Sequence, residues 1–220
     1  KPSGSAEIRQ AGFEFDRMRK RIVRHLTQRS EMLSGISHDL RTPLTRMKLQ
    51  LAFIKDKNLA NKLSDDIDEM EKMLNEYLQF TSSTYLEKDE QFDLSELINK
   101  VIEKYDSTNV SSNLPPRIYI NGRKNLIKRC LNNLIDNSTK YGDKLNIELS
   151  KKKMHLVIKV EDNGPGIPES EYENVFKPFY KMDKGRAASK SSVGLGLSIA
   201  SDIIRSHGGN IKLNRSSLNG

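Results

Sequence analysis

The chain has 220 residues, 35% of them hydrophobic and 6% aromatic, with no Trp and a formal net charge of +8. That is lean for one compact globule and suits a chain built partly of elongated helix with a narrow buried seam. The single cysteine, Cys130, excludes an internal disulfide and fits a reducing compartment, and no stretch is long and apolar enough to cross a bilayer.

The charge raises the question of nucleic acid, but the basic residues are dispersed. The one cluster, Arg17, Arg19, Lys20, Arg21 and Arg24, lacks interleaved aromatics and reads as a solvated helix face. No nucleic-acid partner is expected. A start at Lys1, with no signal peptide, predicts a piece of a longer protein.

Residues 6 to 55 read as helix almost throughout. Ile8, Phe15, Met18 and Ile22 give an early apolar stripe, which Met32, Ile36, Leu40, Met47 and Leu51 continue. "KDKN" (55 to 58) breaks the pattern, and Leu59, Leu63, Ile67, Met70 and Met73 mark a second helix. Two long amphipathic helices with a short connection predict an antiparallel hairpin. One hairpin cannot hide both stripes, so a homodimer forming a four-helix bundle is expected.

Within the first helix lies "SGISHDLRTPLTR" (34 to 46), where Pro43 follows His38, Asp39, Arg41 and Thr42. Proline cannot donate to the carbonyl four residues earlier, that of Asp39, and it crowds that carbonyl, so a bend is expected. His38, Asp39 and Thr42 share one sector of the helix surface at these spacings.

After a boundary near 86 to 91 the pattern changes. "FDLSELINKVIEKY" reads as a short helix with Ser95 as N-cap, "RIYI" (117 to 120) as a strand, and "RKNLIKRCLNNLIDNSTKY" as a clear helix. "LNIELS" and "HLVIKVED" alternate as paired strands around "KKKM". A Gly/Pro turn follows, then a short helix near Glu169 to Phe176, a basic loop, the helix "GLSIASDIIRSHGG" and a strand at "NIKLNR". Such mixing predicts a layered α/β domain.

Four features of this second part bear on chemistry. "EDNGPGIP" (161 to 168) puts an acid at a strand end and glycines in the turn after it, where backbone can approach a ligand closely. "VGLGLS" (193 to 198) is a glycine-rich entry into a helix, whose amides suit phosphate oxygens. Between them runs a basic loop with Lys177, Lys181, Lys184, Arg186 and Lys190. Asn133 and Asn137 lie four apart on one helix face, followed by Lys140 and Tyr141, and asparagine carbonyls suit Mg²⁺. Each feature alone is ordinary: a turn, a helix start, a surface insertion, a buried or capping asparagine.

In this order they resemble the ATP-binding domain shared by histidine kinases, DNA gyrase, Hsp90 and MutL, the GHKL-type α/β sandwich. The resemblance implies ATP and Mg²⁺, with Asn137 on the metal, Asn133 as the first asparagine of the family's N box, and Asp162 on the adenine amino group. Gly164 and Gly166 would shape the purine pocket. Gly194, Leu195 and Gly196 would hold the phosphates, and Lys140 and Tyr141 would complete the nucleotide-binding set. "FKPFYK" (176 to 181) looks like the family's phenylalanine box, with Phe176 and Phe179 as anchors.

"SHDLRTPLTR" resembles the phospho-acceptor box of sensor histidine kinases. That implies phosphoryl transfer from ATP to Nε2 of His38, Asp39 taking the Nδ1 proton as general base, and Thr42 orienting water in dephosphorylation of a partner. With "NNLIDNSTKYG" and "EDNGPGIP" the match is most similar to EnvZ-type osmosensor kinases. "PSGSAEIRQAGFEFDRMRKRI" resembles the second helix of a HAMP linker.

The organisation so implied is a HAMP remnant (1 to 24), a dimerisation and phosphotransfer domain (25 to 86) and a catalytic ATP-binding domain (92 to 220) whose last strand is truncated after "NRSSLNG". The implied partner is an OmpR-like response regulator receiver domain. The implied parent is membrane-anchored, with this chain as the cytoplasmic portion of an inner-membrane protein. An ATP-driven clamp of the gyrase or MutL type, or a kinase-like scaffold without catalysis, remain as rivals. The clamp needs no histidine box, and the intact site residues weigh against the scaffold.

Overall fold

A computed structural model describes residues 6–82, 87–105, 109–152, 155–182 and 193–218. The chain divides into two compact units, residues 1–86 and 87–220.

The first unit is a helical hairpin, α1 (Ala6–Leu51) and α2 (Lys57–Ser82). The α1 helix continues through Pro43. Asp56 starts α2: its Oδ1 accepts the N–H groups of Asn58 and Leu59 at 2.9 and 3.2 Å, which satisfies two donors that have no partner inside the helix. Lys48 Nζ reaches Asp68 Oδ1 at 2.6 Å and Glu71 Oε2 at 2.8 Å, while Arg41 Nη2 donates to Asn75 Oδ1 at 3.1 Å. Numbers fall along α1 as they rise along α2, so the helices are antiparallel.

The seam between them is not the stripe that sequence periodicity marks on α1. Among the described residues, Ser37, Leu44 and, from α2, Ile67 are buried. Met32, Ile36, Leu40 and Met47 stay exposed, as do Leu59, Leu63, Met70 and Met73 on α2. Polar Ser37 and the stem of Lys48 occupy positions that an apolar count passes over. The hairpin therefore carries an uncovered apolar face on both helices.

The second unit contains β1 (Glu90–Asp93), α3 (Leu94–Ile102), β2 (Val110–Asn113), β3 (Tyr119–Gly122), α4 (Lys124–Tyr141), β4 (Leu145–Lys152), β5 (His155–Asp162) and α5 (Gly196–Ser206). Sheet order is β2-β4-β5, with β2 parallel and β5 antiparallel to β4; β1 and β3 form a separate antiparallel pair. Along β4 burial alternates, and Leu145, Ile147 and Leu149 turn one face inward. Ile98, Val101, Leu131, Ile135 and Ala200 from the three helices complete this core. Each buried Val, Leu or Ile side chain contributes about 1.5–3 kcal/mol by leaving water, and Ala200 less.

Three expectations need correction. Asp93, not Ser95, caps α3, its Oδ1 accepting the N–H groups of Ser95 and Glu96 at 2.9 and 3.3 Å. The short helix near Glu169 is two separate 3₁₀ turns, Glu169–Glu171 and Asn174–Phe176. "NIKLNR" forms no ladder. Its neighbourhood instead meets β5 through a side chain, Ser217 N–H donating to Glu161 Oε1 at 2.9 Å. The second unit starts at Glu87, within the boundary expected near 86 to 91, and Glu87 and β1 belong to it. The Glu87 carboxylate accepts the N–H groups of Asn125 and Leu126 at 2.7 and 3.2 Å, and so caps α4 where Arg123 makes no side-chain cap.

Candidate functional sites

In the hairpin, His38 and Asp39 project from the C-terminal third of α1 with side chains 82% and 86% exposed, Nδ1 of the imidazole 3.5 Å from the carboxylate Oδ1. That is ion-pair range and longer than a direct hydrogen bond. Thr42 lies one turn on, its hydroxyl donating to the His38 carbonyl at 3.4 Å, and Thr45 does the same to Arg41 at 3.0 Å. The two threonines back-bond on either side of the place where Pro43 supplies no N–H. An exposed imidazole with a neighbouring carboxylate at Nδ1 leaves Nε2 as the free nucleophilic face.

In the second unit the sequence-marked residues meet at three junctions. At the C-terminal end of β5, Asp162 Oδ1 accepts the Gly164 N–H at 2.9 Å, closing a tight turn. Gly164 is buried against Tyr141: a β-carbon there would stand 2.8 Å from Asp162 Oδ1 and 2.9 Å from the Tyr141 carbonyl oxygen. Only glycine permits that approach. Gly166, two residues on, has φ +72°. Asn163 escaped the sequence reading. Its Oδ1 accepts the N–H groups of both Asp143 and Lys144 at 2.8 Å, tying the β5 turn to the end of α4. The signal was present in "DNG", where asparagine commonly bonds nearby backbone.

At the second junction α4 meets the start of α5. A β-carbon on Gly196 would lie 3.9 Å from Asn133 Cβ. Asn133 Nδ2 is buried without a hydrogen-bond partner among the described residues. Buried amides are nearly always satisfied, so an unmatched donor at this place fits a ligand acceptor. Asn137 lies one turn further along α4 and is half-buried; Lys140 Nζ sits 4.9 Å from the centroid of the Tyr141 ring, which is exposed.

At the third junction Gly194, at φ +79°, packs against residues 179 and 180. A β-carbon would stand 2.7 Å from the Tyr180 carbonyl oxygen. Phe179 donates its N–H to the Gly194 carbonyl at 3.0 Å and itself has φ +65°, unusual for a bulky residue. Leu195 is fully buried, so its side chain serves the core and only its backbone belongs to the turn. Leu195 makes no side-chain cap on α5. Lys184, Arg186 and Lys190 of the basic loop lie outside the described residues; Phe176 is half-buried and Phe179 exposed.

An exposed histidine stands beside a carboxylate in one unit, and glycine turns pack against α4 and lead into α5 in the other. Residues 28–85 match the His Kinase A (phospho-acceptor) domain, and residues 122–220 match the histidine kinase-, DNA gyrase B-, and HSP90-like ATPase. The chain is 34% identical over 219 residues to the sensor histidine kinase GtrS of Pseudomonas aeruginosa, covering 96% of this chain and 44% of GtrS. It is 28% identical to the sensor histidine kinase CpxA of Escherichia coli, covering 99% of this chain and 51% of CpxA. Among solved structures, the Acinetobacter baumannii histidine kinase AdeS superposes with a TM-score of 0.53 at 26% identity, over 77% of this chain and 86% of AdeS. The chain belongs to the sensor histidine kinases of two-component signal transduction, with a phospho-acceptor domain followed by an ATP-binding domain. It spans about half the length of the curated relatives it matches.

Proposed function

We propose that this chain phosphorylates itself on His38 with ATP and passes the phosphoryl group to an aspartate of an OmpR-like response regulator receiver domain. Nε2 of His38 attacks the γ-phosphorus, the bond to the β,γ-bridging oxygen breaks, and ADP leaves; Asp39 takes up the Nδ1 proton. The observation that carries this reading is the His38–Asp39 pair, 3.5 Å apart on an open helix face. In phosphoryl transfer alignment and charge neutralisation matter most.

Nucleotide binding falls to the three junctions. Asp162, with Oδ1 engaged by Gly164, offers Oδ2 to the exocyclic amine of adenine. Gly164 and Gly166 leave room for the purine, beside Tyr141 and Lys140, and Asn133 offers its unmatched amide. The amides around Gly194, Leu195 and Gly196 receive phosphate at the start of α5, next to Phe179. Mg²⁺ would be held by the Asn137 carbonyl together with phosphate oxygens and water, where it would neutralise phosphate charge.

Thr42 would orient water for dephosphorylation of the regulator. The uncovered apolar face of α1 and α2 fits a homodimer with a four-helix bundle. Ile8, Phe15, Met18 and Ile22, exposed on the first part of α1, are consistent with a HAMP remnant over residues 1–24, with phosphotransfer (25–86) and catalytic (92–220) domains after it. The EnvZ-like type, and an inner-membrane parent of which this is the cytoplasmic part, rest on the motif resemblance. No helix among the described residues is long and apolar enough to cross a membrane.

The test is incubation of the purified chain with γ-labelled ATP and Mg²⁺. Acid-labile, alkali-stable label on the protein supports the kinase. Phosphate release without protein label points to an ATP-driven clamp, and neither outcome to a silent scaffold.

A further inference from the structure

The left-handed backbone at Phe179 is flanked by a side-chain hydrogen-bond cluster centred on Glu171. Tyr180 donates its hydroxyl hydrogen to Glu171 Oε2, and Asn174 Nδ2 donates to the same oxygen at 3.0 Å. Lys177 Nζ donates in turn to Asn174 Oδ1 at 2.7 Å. One carboxylate oxygen thus holds Tyr180 directly, after Phe179, and reaches Lys177, before it, through Asn174. The hydrogen bond from Tyr180, then that from Asn174, lowers the Glu171 pKa, so the acceptor is ionised at neutral pH.

What the moored segment touches is the glycine turn. The Tyr180 carbonyl oxygen and the Phe179 carbonyl carbon are the atoms a Gly194 β-carbon would meet, at 2.7 and 3.0 Å, and Phe179 N–H bonds the Gly194 carbonyl. The path of residues 194 to 196 is therefore set by the backbone at 179 and 180. A positive φ on a phenylalanine persists only where its surroundings over-determine it, and the Glu171 cluster supplies that constraint.

We infer that Glu171 and Tyr180 are positioning residues for the phosphate-facing turn Gly194–Gly196, acting through the Phe179–Tyr180 backbone rather than by contact with nucleotide. This rests on the nucleotide-binding reading above.

The test measures affinity for a fluorescent ATP analogue and autophosphorylation kinetics in the whole chain for Tyr180→Phe, Glu171→Ala, Glu171→Gln and the double variant Tyr180→Phe/Glu171→Ala. Tyr180→Phe and Glu171→Ala are each expected to weaken binding about five- to tenfold and to raise KM for ATP, with the rate at saturating ATP within about twofold. Glutamine keeps an acceptor oxygen, so Glu171→Gln should retain most of the affinity. The double variant should be no weaker than the poorer single one, because both cut the same link.

Amide NMR signals of Gly194 and Gly196 should move in Tyr180→Phe while that of Ile147, in the centre of β4, stays in place. Single variants that bind as the parent does, or a double variant whose loss is the product of the two, would overturn the inference. If Tyr180→Phe does not fold, the alanine and glutamine variants at 171 carry the same comparison. A parent chain that binds no ATP analogue would instead defeat the nucleotide reading itself, which keeps the two failures apart.

Discussion

Asp162 Oδ1 accepts the backbone N–H of Gly164 at 2.9 Å, and the space that a side chain at 164 would need is filled by that same oxygen and by the Tyr141 carbonyl. The acid is held in one orientation by the turn it closes. Gly164→Ala would place carbon 2.8 Å from Asp162 Oδ1, so the carboxylate must rotate or the turn must open. Affinity for an ATP analogue should fall at least about tenfold, equivalent to about 1.4 kcal/mol. Titration by fluorescence measures it, and unchanged affinity would remove Asp162 from the purine site.

Gly194→Ala combines two penalties, a left-handed φ of +79° and a carbon 2.7 Å from the Tyr180 carbonyl oxygen. The variant should lose about 1–3 kcal/mol of stability in the second unit along with nucleotide binding. Denaturant unfolding followed by circular dichroism reads the first effect, and analogue binding the second.

Glu161 sets an acid limit. Burial alone would raise its pKa, but hydrogen bonds from Lys159, from Ser217 and from Asn146 outweigh burial and lower it to about 2. A folded-state value below the unfolded one means that the contribution is complete above about pH 4.5 and is lost as pH falls toward about 2. The unfolding midpoint of the parent should therefore decline across that window. Glu161→Gln should be less stable than the parent at neutral pH and show a shallower decline, measured by urea unfolding at a series of pH values.

Thr42 and Pro43 should separate the two outputs of the hairpin. Thr42→Ala removes the hydroxyl that lies one turn from His38, and is expected to slow dephosphorylation of a phosphorylated regulator at least about tenfold while leaving autophosphorylation within about twofold. Pro43→Ala restores a donor for the Asp39 carbonyl, which favours one straight helical state. The ratio of kinase to phosphatase rates should shift. Both are read with labelled regulator, and equal loss of both activities in Thr42→Ala would contradict the division of roles.

How much of this was legible depends on how far local pattern and final packing agree. The alternation of "LNIELS" survives as the buried Leu145, Ile147 and Leu149 of β4, because a sheet face covered by helices enforces period two. α4 was equally plain. By contrast β2, "VSSN", has no apolar face and exists only through its parallel ladder to β4, so no periodicity announces it. β1 was absorbed into the helix after it: Phe92 is its one buried side chain, and Asp93 and Ser95 are both capping types. At "NIKLNR" the opposite holds, since alternation is present and no ladder forms.

The site motifs were readable because glycines and asparagines mark demands of backbone geometry. The mooring of Phe179 was not, because Glu171 and Tyr180 sit nine residues apart across two 3₁₀ turns that no sequence spacing encodes. On α1 the residues from Met32 to Met47 form the apolar stripe that their spacing predicts, and it stays exposed. The intrachain seam ran elsewhere, through Ser37, Leu44 and Lys48.

The most direct measurement is label uptake from γ-labelled ATP and Mg²⁺ by His38→Gln beside the parent, with analogue binding as a check that the ATP-binding unit is intact. The account predicts that the variant binds nucleotide as the parent does and takes up no acid-labile label. Equal labelling of the two proteins would contradict it.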